Sequence, residues 1–151
     1  MQIDRIELEP RTMLGLHETV KMADLTDYFM RAFEASAAEL AEQGLAPAGP
    51  PLALYHGMPT DTVDVTAGFP VAGTAHGSGD VVVTDLPVGE AVTSIYTGPY
   101  DGMTRTYDEI AVWLREHNLA TGADMWEEYL TGPDADPDPA TWQTRIVLPL
   151  A

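Results

Sequence analysis

Four consecutive residues, Trp126-Glu127-Glu128-Tyr129, set two carboxylates between two aromatic rings. Side chains alternate across a strand, so Glu127 and Tyr129 share one face while Trp126 and Glu128 share the other. One of the two glutamates is then the more buried. A carboxylate among rings in an apolar cleft is costly to desolvate unless paired. It is also an effective counter-charge for a lipophilic cation, which the ring faces attract as well. A carboxylate so placed is the kind of group that serves as a general acid or base. At a solvated sheet edge the same residues would only pack and carry charge, and spacing alone leaves both readings open.

Other chemistries lack their patterns. Gly77-Ser78-Gly79 has neither the third glycine nor the following helix of a dinucleotide loop, and there is no Walker-type Gly-Lys-Ser/Thr or Gly-x-Ser-x-Gly elbow. His17, His56, His76 and His117 lie far apart, with no i,i+4 pair, so no metal site is expected, and no cofactor. Without cysteine, disulfides, thiolate nucleophiles and Cys-ligated zinc are excluded.

A chain of 151 residues with 45% apolar side chains suits one domain, 1–151, with a real core. Seven basic residues against 24 acidic ones give a net charge of -17, which repels phosphate backbones and anionic headgroups and concentrates cations. The expected partners are therefore a hydrophobic or cationic small molecule and, in an alternative, a protein, with neither direct nucleic-acid contact nor a membrane. The same acidity also serves solubility. Met1 leads into Gln2-Ile3-Asp4-Arg5 with no long apolar run, so neither a signal peptide nor a transmembrane segment is expected, and a cytoplasmic protein is.

The elements that must hold these residues follow from periodicity. Residues 3–20 read as β structure interrupted at Pro10. From Leu25, apolar residues at three- and four-residue steps (Tyr28, Phe29, Ala32, Phe33, Ala37, Leu40) predict a helix, with Asp24 as N-cap and Gly44 as its stop. A Pro-rich connector at 46–51 leads into two strands, 52–56 and 62–71, that form a hairpin around Gly57-Met58-Pro59. After a glycine-rich loop at 73–80, residues 81–87 and 90–96 are again extended. A second helix is expected from Met103 or Thr104 to near Asn118, with Tyr107, Ile110, Ala111 and Leu114 on its apolar face and Trp113 beside them. Two strands, 125–130 and 142–148, close the chain across a turn at 132–139. The order reads as β-α-β-β twice. This is an α+β fold: an antiparallel sheet with two helices on one face and a ligand cleft on the other.

The run from Gly89 to Met103, with Ser94-Ile95-Tyr96-Thr97-Gly98-Pro99-Tyr100 at its centre, resembles the strand, Gly-Pro-Tyr turn and helix start of GyrI-like, AraC-type effector-binding domains. Leu54-Tyr55-His56-Gly57 with Phe69-Pro70-Val71 resembles that family's first hairpin. Trp126-Glu127-Glu128-Tyr129-Leu130 is similar to its Glu-x-Tyr strand, and the run from Trp142 to Leu150 to its closing strand. The likeness spans essentially the whole chain. It implies a pocket between two similar halves, an acidic residue inside it, and hydrophobic, aromatic, cationic ligands. Glu127 and Tyr129 fall on the Glu-x-Tyr pattern, and Glu128 adds a second glutamate, so which of the two faces the ligand stays open at this level. Tyr55, Phe69, Tyr96, Trp113 and Trp126 are candidate walls. Many relatives carry this module behind a DNA-binding helix-turn-helix, whereas here the domain takes up nearly all of the sequence.

The leading expectation is a stand-alone binding protein that senses or sequesters such compounds, without catalysis. The resemblance also implies an alternative, since some stand-alone GyrI-like proteins are associated with hydrolysis of strained cyclopropane-bearing genotoxins; Glu127 and Tyr129 would then position water and stabilise charge. The resemblance implies another as well, an interaction protein like the family members that inhibit DNA gyrase, its acidic surface imitating nucleic acid.

Overall fold

A computed structural model describes residues 2–57, 59–131 and 137–151. Eight strands, β1 (Ile3–Leu8), β2 (Thr12–Lys21), β3 (Leu52–His56), β4 (Thr62–Val71), β5 (Val81–Asp85), β6 (Gly89–Thr97), β7 (Asp124–Thr131) and β8 (Gln143–Pro149), form one sheet. Its helices are α1 (Leu25–Glu42) and α2 (Met103–Glu116). The strand order is β1-β6-β8-β7-β3-β4-β2-β5, with every neighbouring pair antiparallel.

Residues 3–20 are two strands that part company, a larger break than the interruption expected at Pro10. β1 pairs with β6 at one edge of the sheet, whereas β2 pairs with β4 and β5 near the other. Proline forces the separation because it has no N–H to give a ladder. The segment around Pro87, between β5 and β6, does the same in reverse. Each half is thus β-β-α-β-β, and the strand order is unchanged when β1–β4 are exchanged with β5–β8. The two crossing segments touch, Leu86 N donating to Arg11 O at 2.9 Å.

Both helices lie on one face, for a reason visible in their stripes. On α1 the buried positions Tyr28, Ala32, Ser36 and Leu40 recur every four residues and pack on Leu14, Leu16, Val65 and Ala67 of β2 and β4. Tyr28 fastens the helix: its hydroxyl donates to Leu16 O at 2.6 Å and accepts from Ala67 N at 2.9 Å. On α2, Met103, Ile110 and Leu114 pack on Val92 and Ile146 of β6 and β8. Each helix stops at a left-handed residue, Gly44 (φ 70°) and Asn118 (φ 55°), with the next N–H bonding back to Leu40 O or Leu114 O. Asp24 occupies the N-cap of α1 without a side-chain cap bond.

The opposite face has its own core, in which Met13, Leu52, Leu54, Trp126 and Val147 are covered by Leu8 and Leu86 from the two crossing segments. Among the described residues no helix is long and apolar enough to cross a membrane. The hairpin turn expected at 57–59 includes Met58, and the turn at 132–139 includes 132–136; these residues lie outside the described ones.

Candidate functional site

Each helix covers its own half of the sheet, which leaves a seam over the central strands β7 and β3. Along this seam runs a cleft of about 640 Å³, within the usual range for small-molecule sites. It lies between the helices on the helix-bearing face, a correction to the expectation of a cleft on the opposite side. The reason is geometric: the helix-free face is filled by apolar side chains from the crossing segments.

The second stripe of α1, Leu25, Phe29 and Phe33, lies one position past the sheet-facing stripe and forms one wall. Tyr100, Met103, Thr104 and Tyr107, at the start of α2, form the other. Tyr55 of β3 and Glu127 and Tyr129 of β7 make the floor. Register explains the floor. Glu127 lies opposite Ala53 on β3 and Ile146 on β8, and the small Ala53 leaves room beside the carboxylate. Tyr55, two residues further along β3, points to the same face.

Three phenols close on Glu127, which is only 7% exposed. Tyr129 donates to Oε1 at 2.9 Å, Tyr55 to the same oxygen at 3.4 Å, and Tyr107 to Oε2. These bonds satisfy a carboxylate taken out of water. Burial, and then the Glu127 charge, push the Tyr55, Tyr107 and Tyr129 hydroxyls well above the ordinary tyrosine range. They are therefore neutral donors at any physiological pH. Tyr129 is also the hub of a ring cluster, with Phe29, Phe33 and Tyr100 edge-on to it at 6.3, 6.1 and 5.7 Å. No lysine, arginine or histidine is among the described lining residues.

The structure thus brings together Glu127, Tyr129 and Tyr55, and it settles which glutamate faces the cleft. Five other candidate residues lie elsewhere. Glu128 and Trp126 point to the helix-free face by strand alternation; there the Trp126 indole N–H donates to Glu128 Oε2 at 3.0 Å, and Arg145 and Arg11 reach the Glu128 carboxylate at 3.4 and 3.6 Å. Tyr96 turns away to donate to Pro99 O at 2.6 Å. Trp113 stacks on His117, ring centres 3.9 Å apart, because its position on α2 is rotated off the cleft stripe. Phe69 sits behind the wall, against Phe33 at 6.0 Å.

Sequence reasoning missed Phe29, Phe33, Tyr100 and Tyr107 as walls. The signal was present in Leu25-Phe29-Phe33, an i, i+4, i+8 series beside the core stripe, but only the sheet tells which apolar stripe faces a neighbour and which a cleft. The histidines are corrected too: His17 and His56 converge, with Asp64, on the helix-free face.

Comparison with known proteins agrees with this architecture. The model of the GyrI-like small molecule binding domain matches residues 1–151. The C-terminal domain of EcmrR superposes with a TM-score of 0.85 at 21% identity, over 99% of this chain and 97% of that one. In the structure of EcmrR complexed with DNA, the TM-score is 0.81 at 22% identity; 99% of this chain is covered but only 57% of that longer chain. SAV2435, solved bound to tetraphenylphosphonium, gives 0.71 at 16% identity over 100% and 94% of the two chains. A hydrolase from Listeria innocua gives 0.71 at 12% identity over 99% and 92%. At these identities the likeness is one of fold. No curated protein matches the chain in sequence.

Proposed function

The chain belongs to the GyrI-like small molecule binding domain family, and from that premise we propose that it binds hydrophobic, aromatic cations in the cleft between α1 and α2, with Glu127 as their counter-charge. One observation carries this reading. The Glu127 carboxylate is buried among neutral phenols, and no cationic side chain is among the described residues lining the cleft. A charge without an ionic partner in a low-dielectric site gains most from a cation that brings its own apolar bulk. The ring cluster adds cation–π attraction of about 0.5–2 kcal/mol per well-placed ring. Aromatic walls discriminate weakly among shapes, so several lipophilic cations fit, and the role is sensing or sequestration without direct contact to nucleic acid.

Tetraphenylphosphonium is the natural probe, being the ligand held by SAV2435. Calorimetry and thermal shift with this cation and with neutral triphenylphosphine oxide, on wild type and Glu127→Gln, test the reading. The expected result is preferential binding of the cation, with at least a tenfold loss of affinity, about 1.4 kcal/mol, in the variant. Equal binding of cation and neutral compound, unchanged in Glu127→Gln, would refute the counter-charge role.

A hydrolytic reading uses the same carboxylate and is favoured by the Listeria innocua neighbour, which is itself a hydrolase. Glu127, held in place by the three phenols, would take a proton from water. Mass spectrometry of each recovered ligand separates the two: an unchanged mass supports binding, and gain of a water that Glu127→Gln abolishes supports catalysis.

A further inference from the structure

On the face opposite the cleft, three metal-type ligands from three neighbouring strands converge. His17 lies on β2, Asp64 on β4 and His56 at the end of β3, and β4 runs between the other two. Alternation places all three on the helix-free side, because Leu16, Val65 and Tyr55, their sequence neighbours, face α1 and the cleft. One ligand atom from each lies within 4.8 Å of the other two. His17 Nε2 contacts Asp64 Oδ1 directly, and the two imidazoles stand edge to face with centroids 5.4 Å apart. Thr66, the next β4 residue on that face, is hydrogen-bonded through Oγ1 to His56 Nε2 at 2.8 Å and fixes that ring. The His17 and Asp64 side chains are 44% and 43% exposed, so an ion reaches the cluster from solvent.

We propose that His17, His56 and Asp64 form a binding site for one divalent first-row transition-metal ion of the zinc class, separate from the cleft. The donor set decides the class. Two imidazoles and one carboxylate suit zinc, nickel, cobalt or copper, whereas calcium and magnesium call for oxygen ligands. Three protein ligands leave a coordination position open to water. Metal–ligand bonds of about 2.0–2.2 Å separate adjacent donors by roughly 3–3.5 Å. The three ligand atoms already lie within 4.8 Å of one another, and the exposure of His17 and Asp64 leaves both side chains room to adjust. Thr66 holds His56 Nε2, which leaves Nδ1 as the nitrogen for the ion and makes the Thr66 bond the outer-sphere support of a metal-bound imidazole. The net charge of -17 raises the local concentration of divalent cations around the protein as a whole.

The test is titration of metal-free protein with zinc chloride by calorimetry, with cobalt(II) as a spectroscopic probe and calcium as the control. One equivalent of zinc is expected, with cobalt d–d absorption of an imidazole-ligated ion and no heat from calcium at the same concentration. His17→Gln and Asp64→Asn, both at exposed positions, are each expected to lower zinc affinity at least tenfold while circular dichroism stays native. Glu127→Gln is expected to bind zinc as wild type does, which keeps this result distinct from the fate of the cleft reading. Absence of zinc binding overturns the proposal. Binding that is equal in all variants, or matched by calcium, overturns it as well, since it assigns the ion to scattered surface carboxylates.

Discussion

At the scale of residues, Glu127 and its three phenols divide the work between charge and support. Tyr107, Tyr129 and Tyr55 are held neutral by burial, so each contributes a hydrogen bond and none contributes charge. Tyr107→Phe removes a donor from Oε2 without removing the carboxylate. It is expected to cost about 1–3 kcal/mol of stability in denaturant unfolding, because a buried charged acceptor loses a partner. The preference for tetraphenylphosphonium over a neutral analogue should survive in this variant. If it disappears while Glu127 is intact, selectivity comes from the phenol cage and not from the carboxylate. Within Trp126-Glu127-Glu128-Tyr129, strand alternation is enough to pair Glu127 with Tyr129. What alternation does not supply is direction: only the packing of Trp126 beneath the crossing segments fixes which pair faces inward to the second core and which to the cleft.

At the scale of elements, the helices carry two adjacent stripes each, one for the sheet and one for the cleft. The sheet stripe of α1 is pinned by Tyr28, whose hydroxyl joins the β2–β4 ladder. Tyr28→Phe leaves the Ala67 N–H without its acceptor. The expected cost is about 1–3 kcal/mol in chemical denaturation, with weaker tetraphenylphosphonium binding, because the wall residues Leu25, Phe29 and Phe33 ride on the same helix. A loss of stability with unchanged ligand affinity would show that the cleft tolerates movement of α1. Both helices and the strands β3, β4, β7 and β8 were legible from apolar periodicity and from their punctuation at Gly44 and Asn118. The separate identity of β1 was not. Its alternation fits β2 as well as a strand of its own, and its partner, β6, begins 81 residues after Leu8.

At the scale of the whole molecule, one buried and three partly buried tyrosines tie stability to alkaline pH. Tyr28, Tyr55, Tyr107 and Tyr129 all titrate above the ordinary value of 10.0, chiefly through burial. In the unfolded chain these phenols ionise near that value, while in the folded protein they keep their protons. Their contribution is therefore complete below pH 10 and falls as pH rises beyond it, by about 1.4 kcal/mol per pH unit for each tyrosine that ionises only on unfolding. Denaturant midpoints measured on either side of pH 10 should drop steeply on the alkaline side, and phenolate absorbance should appear together with unfolding. Gradual ionisation of all six tyrosines in a protein that remains folded would contradict the enclosed cage.

Composition and spacing within a few residues suffice for the α+β class, the two helices with their stops, and a strongly acidic surface. The sequence by itself also determines that Glu127 and Tyr129 share a face, a consequence of the two-residue period of a strand. Tertiary structure alone decided that the cleft lies on the helix side, that Phe29, Phe33, Tyr100 and Tyr107 wall it, and that His17, His56 and Asp64 meet. These are relations between elements far apart in the chain. They are set by strand order, by register and by which face each crossing segment covers, and no local period encodes them.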